Sequence, residues 1–142
     1  MNILVPVDGS PASIRAVKLA IEQAKAVAQA RLVILTVQNV ATIGLAEGMG
    51  LMPPEWIGEQ EERAAAEALQ EASATCRAAG VTYVTRSARG AVAATIDRVA
   101  REEGVTHIVM GTRGLGGVRG LLLGSVATQV LHLVDVPVTL VK

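Results

Sequence analysis

The sequence predicts an α/β domain, a doubly wound parallel sheet with helices on both faces. Three observations carry that reading. Asn2 to Val7 and Leu32 to Val37 are almost continuously apolar, as strands buried on both faces of a parallel sheet must be. Helical patterns alternate with these and further strand patterns, giving the order βαβαβαβαβ. Finally, Gly111-Thr112-Arg113-Gly114, nine further residues and Gly124-Ser125 lie between the apolar run His107 to Met110 and a helical pattern, Ser125 to Leu133. Strand, glycine-rich loop and helix form a phosphate cradle in α/β proteins. Glycine lets the backbone approach an anion, and the unpaired N–H groups of the helix start point at it.

The first strand, Asn2 to Val7, is broken by Asp8-Gly9-Ser10-Pro11. Ser10 before Pro11 predicts a helix start, a capping hydroxyl followed by a proline whose missing N–H costs nothing there. Ile14, Val17, Ile21, Ala24 and Ala28 form the apolar stripe of that helix, at steps of three and four. After the second strand, Gln38 to Pro54 reads as a long connection, of the length usually functional or mobile. Glu55 to Ala79 is a long helix with Ala65, Leu69, Ala72, Cys76 and Ala79 on one side, stopped by Gly80. Val81 to Arg86 alternates apolar and polar, as an edge strand does. Val92, Ile96, Val99 and Ala100 mark a third helix ended by Gly104, Thr106 to Met110 is the fourth strand, and Val136 to Val141 is the fifth. The whole, 1–142, reads as one domain without internal repeats.

Composition excludes several function classes. Thirteen basic residues balance thirteen acidic ones, so no electrostatic footprint for nucleic acid or an anionic membrane exists. With no Phe, one Trp and one Tyr, there is no aromatic platform for single-stranded bases. Cys76 is the only cysteine, which forbids an internal disulfide and fits a reducing, cytoplasmic setting. No apolar run approaches the roughly 18 residues of a membrane span.

Two nucleotide motifs fail. The dinucleotide fingerprint is nearly met at Gly114 and Gly116, but its third glycine is Arg119 and the segment follows the fourth strand rather than the first. A Walker loop needs Gly-Lys-Ser/Thr, and no such triplet occurs. What does occur is G-x-x-G-x9-G-S. It reads either as an anion cradle or as a flexible loop ending in an ordinary serine cap. Asp8, at the carboxyl end of a strand, reads as a ligand contact or as a turn former before Gly9. Arg113 fits phosphate or solvent equally. His107 and His132 read as packing or hydrogen-bonded histidines, Cys76 as inert, and Trp56 as a staple for the preceding segment or a contact for ligand or partner.

These residues carry a resemblance to the universal stress protein family. Ile3-Leu4-Val5-Pro6-Val7-Asp8-Gly9-Ser10 resembles the family's opening strand and turn, and Leu35-Thr36-Val37 resembles the end of its second strand. Ile108-Val109-Met110-Gly111 and Leu123-Gly124-Ser125-Val126 bracket the loop as in the family, and Val136-Pro137-Val138 resembles its closing strand. The resemblance covers essentially the whole chain. It implies a five-stranded parallel sheet of order 3-2-1-4-5 and binding of ATP, or of AMP or ADP, with magnesium bridging phosphate oxygens. Position by position, it implies that Pro6, Val7 and Asp8 line an adenosine pocket. Val37 meets the adenine through its backbone, and Met110 and Gly111 pass beside the ribose. Gly114, Gly124, Ser125 and Val126 hold phosphates, with Thr112 and Arg113 in the same segment. Thr106 stands where many members carry Asp.

In that sheet order Val138 to Val141 is an unprotected edge, which invites pairing with a second copy, and the family commonly dimerises this way. The expectation is a cytoplasmic, homodimeric, ATP-binding stress or regulatory protein with at most slow hydrolysis and an unidentified protein partner. The competing expectations are a nucleotide hydrolase or adenylyl-transfer enzyme of the same class, and a nucleotide-free dimeric interaction module.

Overall fold

The computed structural model describes residues 1–50, 53–114 and 122–142. Gly116 and Arg119 of the rejected fingerprint and residues 51–52 of the Gln38 to Pro54 segment lie outside the described residues. The chain runs β1 (Asn2–Pro6), α1 (Pro11–Lys25), β2 (Arg31–Asn39), α2 (Val40–Gly48), α3 (Pro54–Ala79), β3 (Tyr83–Gly90), α4 (Val92–Glu102), β4 (His107–Gly111), α5 (Ser125–Leu133) and β5 (Val138–Val141). The five strands form one parallel sheet in the order β3-β2-β1-β4-β5. This is the order the resemblance implies.

Strand alternation sorts the core into two layers. Ile3, Val5, Leu32, Ile34 and Val109 pack with Val17, Ile21, Ala72 and Cys76 of α1 and α3. Leu4, Val33, Leu35, Ile108 and Met110 pack with Ile96, Val99 and Val130 of α4 and α5. Consecutive residues of β1, β2 and β4 therefore face opposite layers, and both faces are dry, which explains the unbroken apolar runs.

The helix boundaries have local causes. At α1 the Ser10 hydroxyl accepts the Ser13 N–H at 3.2 Å and Pro11 occupies the first turn. The buried side of α1 includes Val17, Ile21 and Ala24, but is centred on Ala12, Ala16 and Ala20. Ile14 is only half-buried, and Ala28 lies exposed beyond the helix. Small side chains let α1 lie close to the sheet. At the end of α3, Gly80 adopts φ 68° and donates to the Arg77 carbonyl, while Val81 N–H reaches Cys76 O. That left-handed cap suits glycine.

Two segments differ from expectation. Gln38 and Asn39 continue β2, and Val40–Gly48 is helical where the sequence predicts an irregular connection. Asn39 starts α2, its Oδ1 accepting the Ala41 N–H at 3.0 Å. The helix carries exposed Val40 and Leu45 and lacks the amphipathic stripe that reveals a helix in sequence. β3 extends to Gly90 because its register with β2 runs through Asn39. As an edge strand it leaves Thr85, Arg86, Ser87 and Arg89 exposed, so its last half carries no apolar signal.

Cys76 is fully buried in the α3 layer, and burial pushes its thiol pKa up to about 11. At pH 8 its thiolate is then on the order of one part in a thousand. A thiol reagent at pH 8 is expected to leave native Cys76 untouched and to modify it only in denaturant. Stoichiometric labelling of the native protein within minutes would contradict this placement.

Candidate nucleotide site

The winding reverses between β1 and β4, whose neighbours lie on opposite sides. A cleft opens there at the carboxyl ends of the strands, as it does in doubly wound sheets. Its volume is about 490 Å³, within the range of small-molecule sites. Every residue expected at the site lies on its wall: Pro6 at the end of β1, Val7 and Asp8 just after it, Val37 of β2, Met110 to Gly114 from β4 into the loop, and Gly124, Ser125 and Val126 at α5.

The floor between β1 and β4 is built by close approach. A Cβ on Gly111 would sit 2.9 Å from Ala12 Cβ and 3.3 Å from the Ala12 carbonyl carbon, so α1 packs on bare backbone. Asp8 accepts the Ser10 N–H at 2.9 Å through Oδ1, and Gly9 turns the chain at φ 79°. A Cβ on Gly114 would lie 2.5 Å from Asp8 Oδ2. The carboxylate of one loop thus abuts the backbone of the other across the cleft.

Backbone bonds hold the start of α5, and the Thr128 hydroxyl also donates to Gly124 O at 3.0 Å. Gly124 N–H donates to Thr112 O at 2.7 Å, and Thr112 N–H donates to Val141 O at 2.8 Å. These two bonds pin both ends of the glycine loop to the sheet. Among the described residues no side chain caps α5. The N–H groups of Ser125, Val126 and Ala127 precede the first helical acceptor spacing, and all three residues line the cleft. Together with the Ser125 hydroxyl, this is a donor set suited to an anion. Arg113 is exposed and lies on the same wall.

The opposite end of the cleft has different chemistry. β1 pairs with β2 only as far as Pro6 opposite Leu35. Beyond that, β2 runs four more residues paired with β3 alone. Leu35 O accepts the Val7 N–H at 2.7 Å, so Leu35 turns its backbone groups toward the β1 side. Val37 and Asn39 share that parity, and their N–H and C=O groups face a side where no strand of the described residues pairs with them. One donor and one acceptor on a single residue can read the edge of a planar heterocycle. Leu35, Val92 and Ile96 add apolar wall for its faces.

Ser10, Ser13, Leu35, Asn39, Val92, Ile96 and Ala127 also line the cleft, and sequence reasoning misses them. Val92 and Ile96 carry an ordinary amphipathic signal, and nothing in the sequence separates a core position from a cleft wall. Asn39 becomes visible only through the overhang of β2. His107 bonds Thr139 through Nε2 at 2.8 Å across β4 and β5, a hydrogen-bonded histidine as expected, whereas His132 is exposed on α5. Trp56 is exposed and is absent from the cleft's lining among the described residues. Thr106 joins Asn2 through backbone and hydroxyl bonds at the amino end of the sheet, away from the cleft. Among the described residues no group of three or more His, Cys, Asp or Glu is placed to hold a metal ion.

The chain matches the family model described as the Universal stress protein family over residues 1–142. It belongs to that family. Universal stress protein YxiE of Bacillus subtilis is 34% identical to it over 146 aligned positions, covering 99% of this chain and 98% of the relative. Among solved structures, a universal stress protein in complex with cAMP is 26% identical, with a TM-score of 0.69, covering 100% of this chain and 96% of that one. A universal stress protein family protein from Arabidopsis thaliana, solved with AMP bound, is 17% identical with a TM-score of 0.70, covering 100% of this chain and 91% of that one. At that identity the last likeness speaks to the fold, which this family member shares. No helix among its described residues is long and apolar enough to cross a membrane.

Proposed function

We propose that this universal stress protein binds an adenine nucleotide (ATP, AMP or ADP) in the cleft and acts as a cytoplasmic regulator. In this reading nucleotide occupancy biases a homodimer toward an as yet unidentified protein partner. The observation that carries it is the pairing of two ends in one cavity. The overhanging β2 edge at Val37 offers a donor and an acceptor for a base, and the bare α5 start offers N–H groups for phosphate. The solved relative in complex with cAMP supports the same ligand class. Asp8 would receive ribose hydroxyls, with Met110 and Gly111 passing beside the sugar. Magnesium would accompany a bound nucleotide and offset its phosphate charge, with no dedicated protein cage among the described residues.

The described lining holds a single carboxylate, Asp8, with Oδ1 already engaged by Ser10. That supports binding with at most slow hydrolysis. Ser125→Glu tests the phosphate end. Ser125 is exposed in the first turn of α5, where a carboxylate favours the helix but repels phosphate. Calorimetric titration should show AMP and ATP affinity falling at least about 10-fold, or 1.4 kcal/mol, with the melting temperature unchanged. Undiminished affinity would remove phosphate from the α5 start.

The assembly rests on β5, an edge strand with Val138 to Val141 half-buried and its outer side unpaired in the sheet. Two copies joined along this edge would complete its hydrogen bonding. Size-exclusion chromatography with light scattering should give twice the 14.7 kDa chain mass. A monomer at micromolar concentration would contradict the dimer.

A further inference from the structure

We infer that Asn39 is a specificity-determining residue that reads the N6/N7 edge of the purine. This rests on the adenine-nucleotide reading of the cleft and extends it to a residue that reading does not use. Asn39 lies two positions beyond Val37 on the overhanging edge of β2 and lines the same cavity. Asn39 is half-buried as a residue, and its carboxamide is oriented, Oδ1 accepting the Ala41 N–H at 3.0 Å. With Oδ1 so placed, Nδ2 and its two hydrogens take the other position. Nδ2 makes no hydrogen bond among the described residues, whereas Oδ1 retains a second lone pair.

The chemistry selects the ligand edge. A carboxamide offers a donor and an acceptor side by side, the complement of adenine's N7 acceptor and N6 donor. Guanine presents N7 and O6, both acceptors, so Oδ1 would face a second oxygen. Residues 37 and 39 are about 6.6 Å apart along a strand, a separation a purine can bridge. A base held by the Val37 backbone at one edge would therefore meet Asn39 at the next.

The test compares AMP with 7-deaza-AMP, which keeps the exocyclic amine and lacks the N7 acceptor. Binding is measured calorimetrically on wild type, Asn39→Asp and Asn39→Ser. Both substitutions keep an oxygen able to accept the Ala41 N–H, so α2 retains its start, and both lack the amide donor. Wild type should bind AMP about 10-fold more tightly than 7-deaza-AMP, equivalent to 1.4 kcal/mol. In Asn39→Asp the gap should shrink to about twofold or less, and Asn39→Ser carries the same comparison without added charge. Equal affinity of wild type for the two nucleotides, or a gap that survives both substitutions, would overturn the role of Asn39 and leave the nucleotide site standing. Failure of wild type to bind AMP at all would overturn the site itself.

Discussion

Gly111→Val is expected to lower the stability of the protein by about 3 kcal/mol, at the upper end of what overpacking costs. The first added carbon would already lie 2.9 Å from Ala12 Cβ, 3.3 Å from the Ala12 carbonyl carbon and 3.3 Å from the Arg113 oxygen. Two of these three neighbours are backbone, so no side-chain rotation relieves the contact. α1 must move off β4, and with it the layer of Val17, Ala20 and Ile21 that covers β1. For a chain of this length the melting temperature should fall on the order of 10 °C. A Gly111→Val variant melting within about 2 °C of wild type would mean that α1 does not rest on this glycine.

The second large effect falls on binding rather than stability. Gly114→Ala places a Cβ 2.5 Å from Asp8 Oδ2, and the carboxylate must swing away. Position 114 is exposed, so the fold should tolerate the change. AMP affinity is expected to drop about 10- to 100-fold, or 1.4 to 2.8 kcal/mol. A double-mutant cycle isolates the cause. Once Asp8→Ala has removed the carboxylate, adding Gly114→Ala should cost little more. Fully additive losses would show that the two loops do not communicate through Asp8.

The sequence is most informative where burial leaves a one-dimensional trace. β1, β2 and β4 are dry on both faces, so their runs Ile3 to Val5, Leu32 to Leu35 and Ile108 to Met110 are visible as unbroken apolar text. Gly80, Ser10 and Pro11 mark helix ends through local backbone chemistry, and they do so in the structure. α2 and the second half of β3 leave no such trace. One exposes apolar residues without periodicity, and the other is an edge whose pairing, not composition, makes it a strand.

The cleft divides the same way. Gly111, Gly114, Gly124 and Ser125 are legible because a tight approach and a helix start demand particular residue types at particular places. The base-facing end is written in how far β2 outruns β1, a tertiary quantity. Val37 is reached through family resemblance alone, and Asn39 is not reached at all. Its side chain looks like any helix-starting asparagine until the missing strand beside it is known.

An adenine nucleotide held in one cleft between the β2 edge and the start of α5 must stabilise the fold it binds. The most direct test is a thermal-melt titration with ATP and magnesium, repeated with AMP, on protein stripped of copurified nucleotide. At 100 times the dissociation constant, a ligand stabilises the fold by about 2.7 kcal/mol, a melting shift on the order of 10 °C. A saturable shift of this size is expected, cut to about half or less in the Ser125→Glu variant at the same nucleotide concentration. No shift with either nucleotide at millimolar concentration would contradict this binding, leaving the sheet and its order intact and the cleft without its ligand.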